Sequence, residues 1–515
     1  MNPLLMTDGY KSSHHKMYPQ NMSLVYSNFT CRSTHYMPEN AKKIVVFGIQ
    51  YMVKYIQELF QKEFFEKDKT EVCGEAKSFL SSYLNTDYDV SHFEALHDLG
   101  YLPICIKALD EGTVIDEKIP ILTIYNTHSD FFWLPNFLET LISSLIWKPI
   151  HSASIAYAFK KLLLSHAKNT DEKNLGFVDF QGHDFSFRGM QSPEAAISSG
   201  MGFLTSFKGT DTIPALQAIK KWYGDTNVAF SVPASEHAVV TSYGKEDEIE
   251  SFRRIMKVYP TGILSMVSDS FDLWKVCTEY LPQLKEQILS RDGKLVIRPD
   301  SGNPADIICG TNTNYASKYK DLDTPTALGV VQLLWNVFGG TTNSQGYKVL
   351  DSHIGVIYGD SINLERADEI CKRLQSIGFA STNIVLGVGS YSLGYATRDN
   401  QGGAMKATYG EITHTITDYH PSQSPEALEP AQWDEIEPRE IFKDPITDDG
   451  TKKSKKGLLC VHEVYGKDDS SSLAIQDQCT WKQEQTGLLT TVFKDGKLIK
   501  QTTLEEIRNK LNTSI

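Results

Sequence analysis

One event recurs through the middle of this chain: a short apolar run ends and a cluster of polar, reactive side chains begins. Residues 175–180 lead into Gln181-Gly-His-Asp-Phe-Ser-Phe-Arg188, 227–232 into Pro233-Ala-Ser-Glu-His237, and 263–267 into Ser268-Asp-Ser270. Further on, 294–297 gives way to Arg298-Pro-Asp-Ser-Gly-Asn303, 355–358 to Gly359-Asp360, and 383–386 to Gly387-Val-Gly389. Short runs rich in Val and Ile predict strands, and most of the intervening segments can hold a helix. Polar groups gathered where successive parallel strands end share one cleft. The pattern is that of an enzyme.

The fold class this implies is α/β. A central domain over 151–399 reads as an irregular (β/α) barrel-like unit, since six strand units are fewer than the eight of a regular barrel. An open α/β sheet is the alternative. At 515 residues the chain is long for a single core. Residues 1–150 and 400–515 are expected to form a second, mixed α+β domain together. Within the first segment, 23–29 reads as a strand, 43–60 as a helix, and 113–126 as a hairpin or a pair of edge strands. Ser192 is placed to cap a helix begun by Pro193-Glu194, and Ser361 or Asn363 to cap one after Asp360. Residues 421–448 read as irregular and 451–457 as a basic loop. Strand-like runs follow at 457–464 and 488–493, with a tight turn at Asp495-Gly496.

Charge and cysteine usage narrow the class. With 51 Lys and Arg against 64 Asp and Glu the formal charge is -13, which argues against a non-specific nucleic-acid binder. Small anionic substrates remain open, because they respond to a few local arginines. The eight cysteines show no short paired spacing, so reduced thiols are expected rather than a disulfide framework or a zinc site. The first residues lack the basic start and apolar core of a signal peptide, and no apolar stretch reaches membrane-span length. A cytoplasmic protein with no membrane or nucleic-acid partner is expected.

Several clusters have the chemistry of a phosphate-bearing substrate. Arg298 can fork two hydrogen bonds onto a phosphate, while Asp300 suits either a ribose hydroxyl or a magnesium ion. A salt-bridged turn is the plainer reading of the same residues, and Gly359-Asp360 at the next strand end favours the functional one. The glycines of 387–394 can turn backbone amides toward an anion, and Arg398 follows. This run has neither the Rossmann nor the P-loop spacing. In 183–188, Phe185 offers a flat face to a heteroaromatic ring and Arg188 a charge to a phosphate; a core aromatic beside a surface ion pair is the alternative. Asp211 is either a helix cap for Thr212-Ile-Pro-Ala or a pocket carboxylate that accepts from an amide and repels an acid. His237, beside Glu236, is either a structural or a catalytic histidine. No HExxH zinc pattern or serine-hydrolase elbow is present.

Taken together, these segments resemble the nicotinamide phosphoribosyltransferase family over nearly the full length. The resemblance rests on Leu5-Met-Thr-Asp-Gly-Tyr-Lys11, 183–188, Lys208-Gly-Thr-Asp-Thr212, Ser231-Val-Pro-Ala-Ser-Glu-His237, Ser268-Asp-Ser270, 298–303, Gly359-Asp360 and 452–457, in that order. It implies a homodimer of the type II phosphoribosyltransferase fold with composite sites at the subunit interface. The substrates implied are nicotinamide and 5-phosphoribosyl diphosphate with magnesium, and ATP as co-substrate. By the same resemblance Phe185 and the partner subunit's Tyr10 would sandwich the nicotinamide ring, and Asp211 and Ser231 would contact its carboxamide. Arg188, Arg298 and Arg398 would grip phosphates, with Gly389 in the phosphate loop, and Asp300, Gly359 and Asp360 would position the ribose. The partner subunit's Asp8 and this chain's Asp269 would join the polar network around substrate, and His237 would be phosphorylated by ATP. No side-chain metal ligand is assigned. Ser390-Tyr391 stands where the family pattern has further glycines, and Ser186-Phe187 replaces a Gly-Tyr pair. Two rivals share the fold: a nicotinate phosphoribosyltransferase, against which Asp211 argues, and a non-catalytic nucleotide-binding or secreted signalling protein.

Overall fold

The computed structural model describes residues 1–311, 324–418, 431–447, 455–465 and 471–514. The chain divides into two compact units: residues 1–37, 42–150 and 397–510 form one, and residues 38–41, 151–396 and 511–515 the other. The long helix Leu134–Thr170 contributes to both, with Pro149 in its interior.

The central unit is α/β. Six strands lie parallel in the order Gly209–Thr210, Gly182–Asp184, Ile384–Val388, Ile354–Tyr358, Asp292–Arg298, Thr261–Val267, curled as an incomplete barrel. Four of the six anticipated runs are these strands. The other two are not. Residues 175–180 are helical, in Glu172–Phe177 and Val178–Gln181, where Asp179 is anchored by Lys160 and by Lys208 at 2.8 Å. The strand begins only at Gly182, the second residue of the polar cluster. Residues 227–232 begin at Asn227 with φ 58, outside the extended region, and only Phe230 makes a lone parallel bridge, to Gly209. The short strand Gly209–Thr210 completes the six instead.

Helix caps in this unit follow the local chemistry. Ser192 Oγ accepts the Ala195 N–H ahead of Pro193. Asn363, not Ser361, caps Leu364–Ser376 through the Arg366 N–H at 2.8 Å; Ser361 is left-handed at φ 51. Thr212 rather than Asp211 is the cap residue of Ile213–Tyr223, which leaves the Asp211 carboxylate free for other partners.

The other unit is built on a seven-stranded antiparallel sheet. Its order is Ala431–Glu440, Gly403–Asp418, Met22–Cys31, Pro120–Asn126, Ile104–Ala108, Thr490–Lys494, Lys497–Leu498, so N- and C-terminal segments interleave. Helices Ile49–Phe60, Lys69–Leu84 and Ser91–Leu99 bury Phe60, Leu80 and Phe93 in one core with sheet residues such as Phe29, Leu122 and Ile124. Three expectations are corrected here. Residues 43–60 are not one helix: Ile44–Val45 is a strand, and Gly48 at φ 90 turns the chain so that the Glu111 carboxylate can take the Gly48 and Gln50 N–H groups at the helix start. Residues 113–126 are not a hairpin: Val114–Ile115 pairs with Ile44–Val45, and Pro120–Asn126 is an interior strand. The irregular stretch expected at 421–448 contains the ten-residue strand Ala431–Glu440, whose polar face hides the alternation; 421–430 and 448 lie outside the described residues. So does 451–454 of the basic loop, including part of the 452–457 motif. Asp495 and Gly496, at φ 49 and 75, form the tight turn between Thr490–Lys494 and Lys497–Leu498. All eight cysteines are buried free thiols. Among the described residues no helix is long and apolar enough to cross a membrane.

Candidate active site

A cavity of ≈ 460 Å³ runs along the parallel strands, with Phe185, Asp211, Ser231 and Arg298 toward their C-terminal ends and Leu350, Ile354, Thr382 and Asn383 toward their N-terminal ends. Its other walls come from the strands themselves, including Ile263, Val296, Ile354 and Val385. Such a slot takes a flat, mostly apolar ring with one polar substituent.

Phe185 lies one residue past Gly182–Asp184, its N–H donating to Val388 O at 3.0 Å. The ring sits on bare backbone. A Cβ on Gly387 would lie 2.3 Å from Phe185 Cδ2, and one on Gly359 would lie 2.9 Å from Cε2 and 3.1 Å from Asp300 Oδ1. Gly387 and Gly359 therefore form a floor that only glycine permits. Gly389 has open space at its Cβ position, and none of the glycines in 387–394 has positive φ, so the value of this run lies in close approach rather than in turning.

Asp211 is clamped. His183 Nε2 lies 3.0 Å and Ser231 Oγ 2.5 Å from the same oxygen, Oδ1. Among the described residues Oδ2 accepts no hydrogen bond, and Asp211 is about half exposed to the cavity. Burial pushes this carboxyl up, but the His183 and Ser231 bonds and the Arg298 charge outweigh it and leave it below the ordinary range. An ionised Asp211 can only accept, so His183 Nε2 and Ser231 Oγ donate.

The acidic side is a second network. Asp269 Oδ2 accepts the N–H groups of Asp300 at 2.9 Å and Ser301 at 2.7 Å, fixing the loop after Asp292–Arg298. Its Oδ1 is buried without a hydrogen bond, and His237 Nε2 stands 3.8 Å away. His237 Nδ1 meets Ser270 Oγ at 3.0 Å while the ring remains half exposed. Arg298 donates to Ser235 O at 2.7 Å and pairs with Asp300 at 3.5 Å. Burial raises the Asp300 carboxyl; Arg298 opposes this, and Asp269 and Asp360 add to it.

The structure thus brings Phe185, Asp211, Ser231, His237, Asp269, Arg298, Asp300, Gly359 and Asp360 to one end of the sheet. Arg188 is exposed on Phe187–Gly189, which packs on Ser390. Asp8, Tyr10 and Arg398 belong to the other unit: Asp8 accepts from Thr140 at 2.6 Å, Tyr10 is exposed, and Arg398 pairs with Asp399 at 3.3 Å. Two groups escaped the sequence reading. His183 was seen only as part of a motif. Glu248 sits in a charged run that resembles a solvated surface, yet it is almost fully buried and raised to about 7 by burial and by Asp272.

Comparison with known proteins agrees with this architecture. Residues 180–423 match the nicotinate phosphoribosyltransferase (NAPRTase) family and residues 2–106 the N-terminal domain of nicotinamide phosphoribosyltransferase. The nicotinamide phosphoribosyltransferase of Acinetobacter baylyi is 42% identical over 524 residues, spanning 99% of this chain and 97% of that protein. The chain belongs to the nicotinamide phosphoribosyltransferase family. It is a pentosyltransferase of pyridine-nucleotide biosynthesis. The Xanthomonas campestris pv. campestris nicotinamide phosphoribosyltransferase is 29% identical over 98% of this chain and 97% of its own length. Two solved structures share the fold. The Pyrococcus furiosus nicotinate-nucleotide pyrophosphorylase has a TM-score of 0.51 at 12% identity, covering 100% of this chain and 95% of that one. Human nicotinic acid phosphoribosyltransferase has 0.50 at 15%, covering 99% and 93%.

Proposed function

We propose that this chain transfers the phosphoribosyl group of 5-phosphoribosyl diphosphate to nicotinamide, giving nicotinamide mononucleotide and diphosphate. The clamped Asp211 carboxylate carries this reading. With Oδ1 occupied by His183 and Ser231, Oδ2 is left to accept from a carboxamide N–H, and its charge disfavours the carboxylate of nicotinate. The ring would lie on Phe185, with the partner subunit's Tyr10 on its other face and the partner subunit's Asp8 nearby, in a homodimer.

Chemistry then needs alignment more than a protein nucleophile. The ring nitrogen attacks C1 of the ribose as the C1–O bond to diphosphate breaks, and positive charge builds on the sugar. Asp300 and Asp360, with the Gly359 backbone, would hold the ribose hydroxyls; Arg188, Arg298 and Arg398 would take phosphates, with Gly389 in their loop. Magnesium would enter bound to the diphosphate substrate; among the described residues no group of three His, Cys, Asp or Glu side chains is placed to hold a metal ion by itself. For His237 we propose phosphorylation by ATP: its γ-phosphoryl group passes to an imidazole nitrogen and ADP leaves. The half-exposed ring between Ser270 and the unbonded Asp269 Oδ1 supports that reading.

The test supplies nicotinamide and nicotinate in parallel with 5-phosphoribosyl diphosphate and magnesium, with and without ATP. Nicotinamide-selective product is expected, with stimulation by ATP that is lost in His237→Ala. Asp211→Asn keeps the shape but turns an acceptor toward a donor; selectivity is expected to fall by about 10–100-fold, the worth of one charged hydrogen bond. Preference for nicotinate by the wild type would overturn the substrate assignment.

A further inference from the structure

We infer that Tyr358 is a positioning residue: its hydroxyl ties the loop that carries Asp300 to the strand end that carries Asp360, so the two carboxylates assigned to the ribose are held as one unit. The inference rests on the proposed roles of Asp300 and Asp360 and names the side chain behind them. Tyr358 is the last residue of strand Ile354–Tyr358, immediately before Gly359-Asp360. That strand pairs in parallel with Asp292–Arg298, which leads into the Asp300 loop. The tyrosine ring is fully buried, and its hydroxyl crosses between the two strand ends to donate to Gly302 O at 2.9 Å.

Gly302 is where the loop over 298–303 is least restrained by its own backbone. At φ 93 it lies in a left-handed region that glycine enters readily, and the same permissiveness leaves its carbonyl free to turn. The rest of the loop is anchored on both sides of it. Ser268 N–H donates to Arg298 O at 3.0 Å, and Asp269 Oδ2 takes the N–H groups of Asp300 and Ser301. Asn303 Oδ1 takes those of Ala305 at 3.0 Å and Asp306 at 3.1 Å. Among the described residues the Tyr358 hydroxyl is the one donor to Gly302 O, and it closes the gap between these anchors.

The position asks for more than an apolar filler. Phenylalanine would occupy the same buried volume, and only the hydroxyl reaches the loop. Burial pushes the phenol up, and the charges of Asp360, Asp300 and Asp269 push it further, so it stays a donor at any working pH. What the bond controls is a close approach. A Cβ on Gly359 would lie 3.1 Å from Asp300 Oδ1, so the Asp300 carboxylate rests on bare backbone one residue past Tyr358. Turning the Gly302 peptide shifts Asp300 on that surface. The ring side of the site is held separately, by His183 and Ser231 on Asp211 and by the Phe185 N–H on Val388 O. Arg298, which touches both sides, has its own anchor on Ser235 O. The hydroxyl therefore acts on the sugar half of the reaction.

The test is steady-state kinetics of Tyr358→Phe, with 5-phosphoribosyl diphosphate and nicotinamide varied in turn, beside a thermal melt. The variant keeps the buried ring and leaves Gly302 O without its donor. A small misplacement of an aligning group is expected to lower kcat/KM for 5-phosphoribosyl diphosphate about tenfold, while KM for nicotinamide keeps its wild-type value. A purely structural bond gives another pattern: a lower melting temperature with the kinetic constants of the folded enzyme unchanged, and that result overturns the inference. A loss shared equally by both substrates, or confined to KM for nicotinamide, overturns it too. Gly302→Ala attacks the same bond from the loop side, where a Cβ strains the φ 93 backbone and comes 3.1 Å from Ile307. It is expected to show the same split between substrates, and it decides the question if Tyr358→Phe does not fold; a Gly302→Ala whose loss falls on nicotinamide instead overturns the inference. A wild type that makes no mononucleotide overturns the proposed function and this inference with it. An active wild type beside a kinetically unaltered Tyr358→Phe overturns the inference alone.

Discussion

Gly387→Ala asks whether a bare backbone floor sets the position of Phe185. The added Cβ would lie 2.3 Å from Phe185 Cδ2 and 2.5 Å from Cε2, with Gly359 Cα at 2.8 Å. Carbon contacts are comfortable only near 3.5 Å, so the ring has to retreat by about 1 Å. Its retreat is restricted: the Phe185 N–H is bonded to Val388 O, and the His183 ring stands 4.9 Å off. Overpacking of this kind costs about 1–3 kcal/mol. Part of that lowers stability, and the rest displaces the surface on which the substrate ring is proposed to lie. A misplacement near 1 Å is expected to lower kcat/KM for nicotinamide by about 10–100-fold, chiefly through KM. Initial rates across a nicotinamide series, paired with a thermal melt, read both parts. Gly74→Ala is the control, because it lies in helix Lys69–Leu84 with nothing within 4 Å of its Cβ position. It should leave rates unchanged and stabilise by up to about 1 kcal/mol. Wild-type KM and melting temperature in Gly387→Ala would show that the floor yields, and the argument from close approach would fail.

Two further outcomes follow from groups outside the cavity. Lys107 and Glu484 form a nearly dry pair at 2.7 Å, with 7% and 1% of their side chains exposed, so Lys107→Met is expected to destabilise by about 3–5 kcal/mol in urea unfolding; adding Glu484→Gln should recover much of it. His92, stacked on His15 at 3.7 Å, is pushed down to about 3 by burial and then by the His15 charge, against 6.5 when unfolded. Above pH 6.5 neither state binds the proton; as pH falls below it the unfolded state does first, and about 2 kcal/mol of stability is lost by pH 5. Glu248, raised to about 7, works in the opposite direction, so the histidine contribution is read as the difference between wild type and His92→Leu across urea midpoints at pH 7.5 and 5.

What could be read from the sequence was the part governed by local pattern. The runs at 263–267, 294–297, 355–358 and 383–386 are strands because Val and Ile dominate them and polar turns end them. The two failures, 175–180 and 227–232, are apolar runs too, but neither contains an Ile. One was decided by tertiary ion pairs of Asp179, the other by the local left-handed backbone at Asn227. Gly209–Thr210, two residues with no apolar signal, was invisible as a strand. The candidate site residues came as a set from the family resemblance, and of these Phe185, Asp211, Ser231 and Arg298 line one cavity. Their partners were not. Nothing in the spacing between His183 and Asp211 says that the imidazole will hold the carboxylate, since only the pairing of Gly182–Asp184 with Gly209–Thr210 brings them together.

Arg298 shows how closely the two halves of this site depend on one another. Its guanidinium spans from Ser235 O to Asp300, and its charge also helps to hold Asp211 ionised. The group that lowers Asp211 therefore also opposes the rise of Asp300. A phosphate drawing Arg298 away would relax both effects at once, raising the Asp211 carboxyl and with it the affinity for an acid ring. Lysine would preserve the charge but not the fork, because one ammonium on a flexible stem cannot hold a carbonyl and a carboxylate in a fixed plane. On the proposed roles, ring selectivity and phosphate binding would be separable in Asp211 and coupled in Arg298, whose guanidinium already joins Ser235 O and Asp300.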